Sequence, residues 1–160
     1  MQWFKTWKKL SQFSTTDDVR HFLEEVAGFR QLGSGAFSVV FALDDDWVVK
    51  VTKKRDVSSY TYLRWCMRNQ GVQGVPEILA MHKFGSGIFA VVMRRYIKYD
   101  DAYVSDEAQD FINAVKQGLG WVGKACSNMI EGGNGWLDLH KGNYMFDNGG
   151  RVFITDPIAF

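Results

Sequence analysis

The chain has 160 residues, 46% of them hydrophobic and 15% aromatic, enough for one domain with a buried core. Its 19 Lys and Arg against 18 Asp and Glu leave a formal charge of +1, which excludes a chain-wide pull toward nucleic acid or anionic lipid. Cys66 and Cys126 form no CxxC pair and no Cys/His cluster has zinc spacing, so both are expected as buried, reduced thiols.

At the N-terminus Trp3, Trp7 and Leu10 fall at helical spacing with Lys5, Lys8 and Lys9 between them. Such a helix can lie on a membrane, but a segment this short in a neutral chain reads first as a helix packed on its own domain. The lysines also break any secretory apolar core, and no run approaches the ~20 apolar residues that span a bilayer. A cytoplasmic protein is expected, with neither membrane nor nucleic acid as partner. A second helix is predicted after Thr16, with Val19, Phe22, Leu23 and Val26 as its stripe and Gly28 as its end.

From Phe29 to Met93 the pattern changes to strands. Phe29–Leu32 leads into a glycine turn, Val39–Leu43 and Trp47–Val51 flank an Asp44–Asp46 hairpin, and a helix runs to about Arg68. Glu77–Lys83 and Ile88–Met93 form another hairpin through Gly85–Gly87. One long helix is predicted from Ser105 or Asp106 to Met129, weakened and open to kinking at Gly118, Gly120 and Gly123. A final pair of strands, Tyr144–Phe146 and Arg151–Thr155, turns at Asp147–Gly150. The fold class is therefore α+β, and Tyr96–Asp101 is the expected hinge.

Four features carry chemistry, in chain order. Gly33-Ser34-Gly35-Ala36-Phe37-Ser38 sits between strand-like runs, where two glycines let the backbone turn and approach phosphate oxygens. Phe37 can cover those phosphates and Val40 can press on a nucleotide base. No Gly-Lys-Ser/Thr follows, so this is not a Walker A loop. Lys50, in the apolar run Val48–Val51, needs an anionic partner or an escape to solvent, and its distance from Val40 suits a reach to phosphates. Asp138-Leu139-His140-Lys141-Gly142-Asn143 supplies, from one loop, a carboxylate to orient a hydroxyl and take its proton and an oxygen ligand for magnesium. His140 and Lys141 add positive charge. Asp156, at the end of Ile154-Thr155-Asp156-Pro157, is a second magnesium ligand.

In this order and form the features resemble the protein-kinase-like superfamily. Asp-x-His-x-Gly-Asn is similar to its aminoglycoside and choline kinase branch. Leu32–Ser38, Val49–Val51, Leu139–Phe146 and Tyr144–Phe160 resemble the early serine/threonine protein kinases of short-tailed lytic bacteriophages, with likeness from about residue 20 to the end. The resemblance implies a minimal two-lobed kinase-like fold with a truncated C-terminal lobe and ATP in the cleft: a helical extension at 1–28, an N-lobe at 29–95 and a reduced C-lobe at 96–160.

The resemblance also implies roles. Gly33–Ser38 lies over the phosphates, Lys50 on the α- and β-phosphates, and Met93 to Tyr96 against the adenine. Asp138 is the base, with Asn143 and Asp156 on magnesium. The implied activity is ATP- and magnesium-dependent phosphorylation of host proteins on serine or threonine early in infection, in the host cytoplasm. Three departures support other readings. Val57–Pro76 holds no acidic residue to pair with Lys50, Asp56 being the nearest substitute, and Trp136 stands where many protein kinases carry histidine. The chain also stops four residues after Asp156. A catalytically silent nucleotide-binding module that grips a host protein is the alternative. A small-molecule phosphotransferase is the third reading.

Overall fold

A computed structural model describes residues 2–159; Met1 and Phe160, the two ends of the expected domain, lie outside the described residues. The chain divides into two compact units, Met1–Val57 with Ile78–Arg95, and Ser58–Glu77 with Tyr96–Phe160.

In the first unit, α1 (Gln2–Leu10) and α2 (Thr16–His21) precede a single π-helical turn, Phe22–Val26. Thr15, one residue before the expected start, caps α2 by accepting a hydrogen bond from the Asp18 N–H at 3.1 Å. Five antiparallel strands follow: β1 (Gln31–Ser34), β2 (Ser38–Ala42), β3 (Trp47–Thr52), β4 (Ile78–Gly85) and β5 (Ile88–Arg94). Their order is β1-β2-β3-β5-β4. The β2–β3 turn is held by Asp44, whose Oδ1 accepts from the Asp46 and Trp47 N–H groups at 2.8 Å each.

Strand alternation gives this sheet two faces. Val39, Phe41, Val49, Val51, Ala90 and Val92 form one core with Leu10, Val19 and Leu23, while Trp3, Trp7 and Phe22 pack partly buried against it. The apolar stripe of the basic N-terminal helix is therefore used by its own sheet. Complete burial of Leu10 contributes on the order of 1.5–3 kcal/mol. Among the described residues no helix is long and apolar enough to cross a membrane.

In the second unit, most of α3 (Val57–Arg68) is followed by β6 (Ile97–Lys98), a 3-10 turn at Tyr99–Asp101, α4 (Asp106–Lys116) and α5 (Gly120–Glu131). Four short strands complete it: β7 (Trp136–Leu137), β8 (Tyr144–Phe146), β9 (Val152–Ile154) and β10 (Ile158–Ala159). They form two small sheets, β6-β8-β9 and β10-β7. Tyr62, fully buried, donates its hydroxyl to the Ile154 carbonyl at 2.7 Å. Burial, with Cys66 and Cys126 nearby, raises its pKa well above the ordinary value. Both thiols are free and buried. Burial pushes Cys66 up and Cys126 to about 12, so neither is a reactive thiolate near neutral pH.

The α+β reading holds, but the single long helix is two. Ser105 caps α4, accepting from the Ala108 N–H at 3.1 Å. Its C-terminus closes as a Schellman motif, with Gly118 N–H to Val115 O at 3.0 Å and Leu119 N–H to Ala114 O at 2.9 Å. Gly118 and Gly120 take φ of 73° and 69°, a region that disfavours side chains. Apolar periodicity alone does not register this reversal, because it runs on across the break. β6, β7 and β10 were also not expected; each has two residues, too short for a pattern of period two.

Candidate active site

In the first unit the expected glycine loop is the β1–β2 hairpin. The Gly35 N–H donates to Ser38 O at 2.9 Å, and the Lys53 N–H donates to Phe37 O at 2.7 Å. Neither Gly33 nor Gly35 has positive φ. A Cβ built on either meets nothing within 4 Å. Gly35 thus closes the expected hairpin turn with Ser38, although neither glycine takes a left-handed backbone or a crowded position there. Lys53 Nζ lies 3.0 Å from Ser34 Oγ, and Lys54 Nζ sits 4.4 Å over the Phe37 ring.

The strand register brings several expected residues together. Val40 pairs with Lys50, Ser38 with Thr52, and Val48 with Met93. By alternation Ser38, Val40, Lys50 and Met93 share the sheet face opposite the helical core. Lys50 and Val40 are half-buried there. Tyr96 falls in the second unit instead. Its ring stacks on Phe153 with centroids 4.4 Å apart, and its hydroxyl accepts from the Glu77 N–H at 2.9 Å.

In the second unit Asp138, Asn143 and Asp156 are drawn into one small knot. Asp138 follows β7, and its N–H donates to Pro157 O at 2.7 Å, extending the β7–β10 pairing. Asn143 Nδ2 bonds the Asp138 carbonyl and approaches Asp138 Oδ2 at 3.3 Å. The Asn143 carbonyl accepts from both the Thr155 and the Asp156 N–H, at 2.9 and 3.2 Å. Asn143 therefore holds the loop carboxylate through its side chain and the strand-end acid through its backbone. Buried backbone groups need such partners, so these bonds fix the loop against β9.

His140 Nδ1 accepts from the Gly142 N–H at 3.0 Å, and its Nε2 lies 3.7 Å from Asp138 Oδ2. Lys141 Nζ lies 4.8 Å over the ring of Tyr99. Tyr99 in turn meets Tyr144 and Phe146 edge-on or tilted, at 5.7 and 6.1 Å. Burial, then the neighbouring Tyr99, raises the Tyr144 pKa. Sequence reading missed Tyr99 and the Lys53–Lys54 contacts with the hairpin. The signal available was the basic run Lys53-Lys54-Arg55 directly after a strand.

Among the described residues no three His, Cys, Asp or Glu side chains are grouped to hold a metal. Asp156 and Asn143 fit magnesium only as a partial oxygen set, the kind a nucleotide's phosphates complete. With its nitrogen bonded to Asp138, the Asn143 amide offers its oxygen for that purpose.

The profile of the family described as "Bacteriophage T7 protein kinase 0.7" matches residues 8–131. The chain belongs to this family. Membership accounts for the protein-kinase-like class expected above, although the match ends before the Asp138 loop. No curated protein matches the chain. Among solved structures, aminoglycoside phosphotransferase APH(4)-Ia is 17% identical, covering 89% of this chain and 71% of its own, with a TM-score of 0.45. The streptomycin–ATP–APH(2")-IIa ternary complex is 15% identical over 89% and 71%, with a TM-score of 0.43. The GDP and kanamycin complex of APH(2")-IIia is 17% identical over 65% of this chain, with a TM-score of 0.37; the chain spans 39% of that protein's length.

Proposed function

We propose that this member of the family is an ATP- and magnesium-dependent phosphotransferase, a protein kinase that phosphorylates serine or threonine on host proteins during infection. The observation that carries it is Asn143, which ties Asp138 through its side chain and Asp156 through its carbonyl. Phosphoryl transfer asks for this combination: a carboxylate that orients a hydroxyl, beside oxygen ligands for a metal-bound triphosphate.

In this reading Gly33–Ser38 and Lys50 bind the phosphates, with Val40 and Met93 against the adenine. The open space at Gly33 and Gly35 supports a backbone that approaches phosphate oxygens. Asp138 orients the substrate hydroxyl and accepts its proton as the new O–P bond forms and ADP leaves. His140 and Lys141 offset negative charge developing near that hydroxyl. Asn143 Oδ1 and the Asp156 carboxylate would hold magnesium, which would supply charge neutralisation on the triphosphate.

The second reading, a silent nucleotide-binding module that inhibits a host protein, is favoured by one observation: α3 carries no carboxylate to pair with the strand lysine. A labelling experiment separates the two. With γ-labelled ATP, magnesium and host lysate, the kinase reading expects labelled protein bands that fall ~10²-fold or more in Asp138→Asn. ATP binding without transfer supports the silent module, and transfer only to a soluble metabolite supports a small-molecule kinase. Full activity in Lys50→Ala or Asp156→Ala overturns the site assignment.

A further inference from the structure

Lys53, Lys54 and Arg55 follow the end of β3 as three exposed consecutive cations. Among the described residues none of the three pairs with a carboxylate. Adjacent like charges repel, and the chain as a whole has a charge of only +1, so this corner is a local excess. It is also held in place. At one end the Lys53 N–H bonds Phe37 O at 2.7 Å, and at the other the Asp56 N–H bonds Gly87 O at 2.7 Å. A Cβ on Gly87 would lie 2.9 Å from Val57 N and 3.0 Å from both Arg55 Cγ and Asp56 N. The β4–β5 turn is thus pressed against the basic corner, and glycine is required for that approach. Lys53 and Lys54 also grip the hairpin through Ser34 and Phe37.

We infer that Lys53, Lys54 and Arg55 form a docking ledge for an acidic segment of the protein substrate, beside the hairpin. The inference rests on the kinase reading above and names the substrate class it selects. Three successive Cα atoms, 3.8 Å apart, carry the three cations on about 7 Å of backbone. That length suits two or three residues of an extended acidic peptide better than one compact phosphate group. The ledge lies beyond the end of β3, whereas Lys50 lies within it, so the triphosphate already has its own lysine. Nucleic acid fits less well, because the only exposed ring in these contacts, Phe37, is covered by Lys54 and the chain has no broad positive field.

The test uses the full chain and a labelled serine peptide flanked by glutamates, with an alanine-flanked analogue. By fluorescence anisotropy at low salt, the acidic peptide is expected to bind at least five-fold tighter than the analogue. That preference should fall toward one in Lys54→Gln/Arg55→Gln and in 0.5 M salt. In transfer assays with dephosphorylated casein, Arg55→Gln should raise KM several-fold with kcat and the KM for ATP unchanged. Equal binding of the two peptides, an unchanged preference in the double variant, or tighter binding of an oligonucleotide than of the acidic peptide overturns the ledge. Because anisotropy needs no turnover, loss of transfer with the binding preference intact counts against the kinase reading alone.

Discussion

Two glycine-bearing regions behave in opposite ways. At the α4–α5 junction the fold itself demands glycine. Gly118 has φ of 73°, and a Cβ on Gly123 would lie 2.8 Å from the Gly118 carbonyl carbon and 3.3 Å from Val115 Cα. In the β1–β2 hairpin, Gly33 and Gly35 have neither the conformation nor the crowding that would require glycine. A glycine that its own chain compels reports on architecture. A glycine that its own chain leaves uncrowded has room for something approaching from outside, which under the proposed function is a phosphate.

Substitutions can break this contrast. Gly123→Val should cost the most stability, about 1–3 kcal/mol or more, because backbone rather than a flexible side chain stands where the new atoms go. A lowered unfolding midpoint in thermal or urea denaturation checks it, and an unchanged midpoint would remove the basis of the comparison. Gly118→Ala should cost roughly 1–2 kcal/mol from the left-handed backbone, read in the same experiment.

Asp147 is an intermediate case, a turn held by an acid. Its Oδ1 accepts from the Gly149 and Arg151 N–H groups at 2.9 Å each, and its Oδ2 accepts from Arg151 Nε at 2.7 Å. Burial alone would raise its pKa, but these bonds and the Arg151 charge outweigh it and hold the carboxyl below the ordinary 3.8. Its stabilisation is therefore complete above that ordinary value and is lost as pH falls through the lowered one. Asp147→Asn should cost about 1 kcal/mol at neutral pH, with the difference from wild type shrinking under acid. A gap that widens under acid would contradict a lowered carboxyl pKa in the folded protein.

The smallest change in stability is expected for Gly33→Ala and Gly35→Ala, within about 0.5 kcal/mol. The same variants should lose about ten-fold or more in ATP affinity, measured by calorimetry or nucleotide fluorescence. A large stability loss with ATP binding intact would reverse the interpretation of the hairpin.

The first unit was largely legible in the sequence. Val39–Leu43 and Trp47–Val51 carry β-branched runs around an Asp44–Asp46 turn, and each of these signals is local. The placement of β5 between β3 and β4 was not legible, because strand order depends on where the α3 crossover delivers the chain. In the second unit the motif residues and their convergence are expected from the sequence, but the bonds that join them could not be read. The Asn143 carbonyl that joins Thr155 and Asp156 is a backbone group, and side-chain identity says nothing about it. Lys141 was expected only as a positive charge near the phosphoryl group; its contact with Tyr99 depends on tertiary packing that no spacing rule anticipates.

The two N-terminal helices have a practical consequence for anyone trimming this protein. A shortened version that begins at the first strand would turn Val39, Phe41, Val49, Val51, Ala90 and Val92 toward water as one continuous greasy plane. Such a plane invites self-association. The trimmed protein should therefore elute as aggregates in size-exclusion chromatography, and the leading residues are best regarded as part of the globule's interior rather than as a dispensable tail.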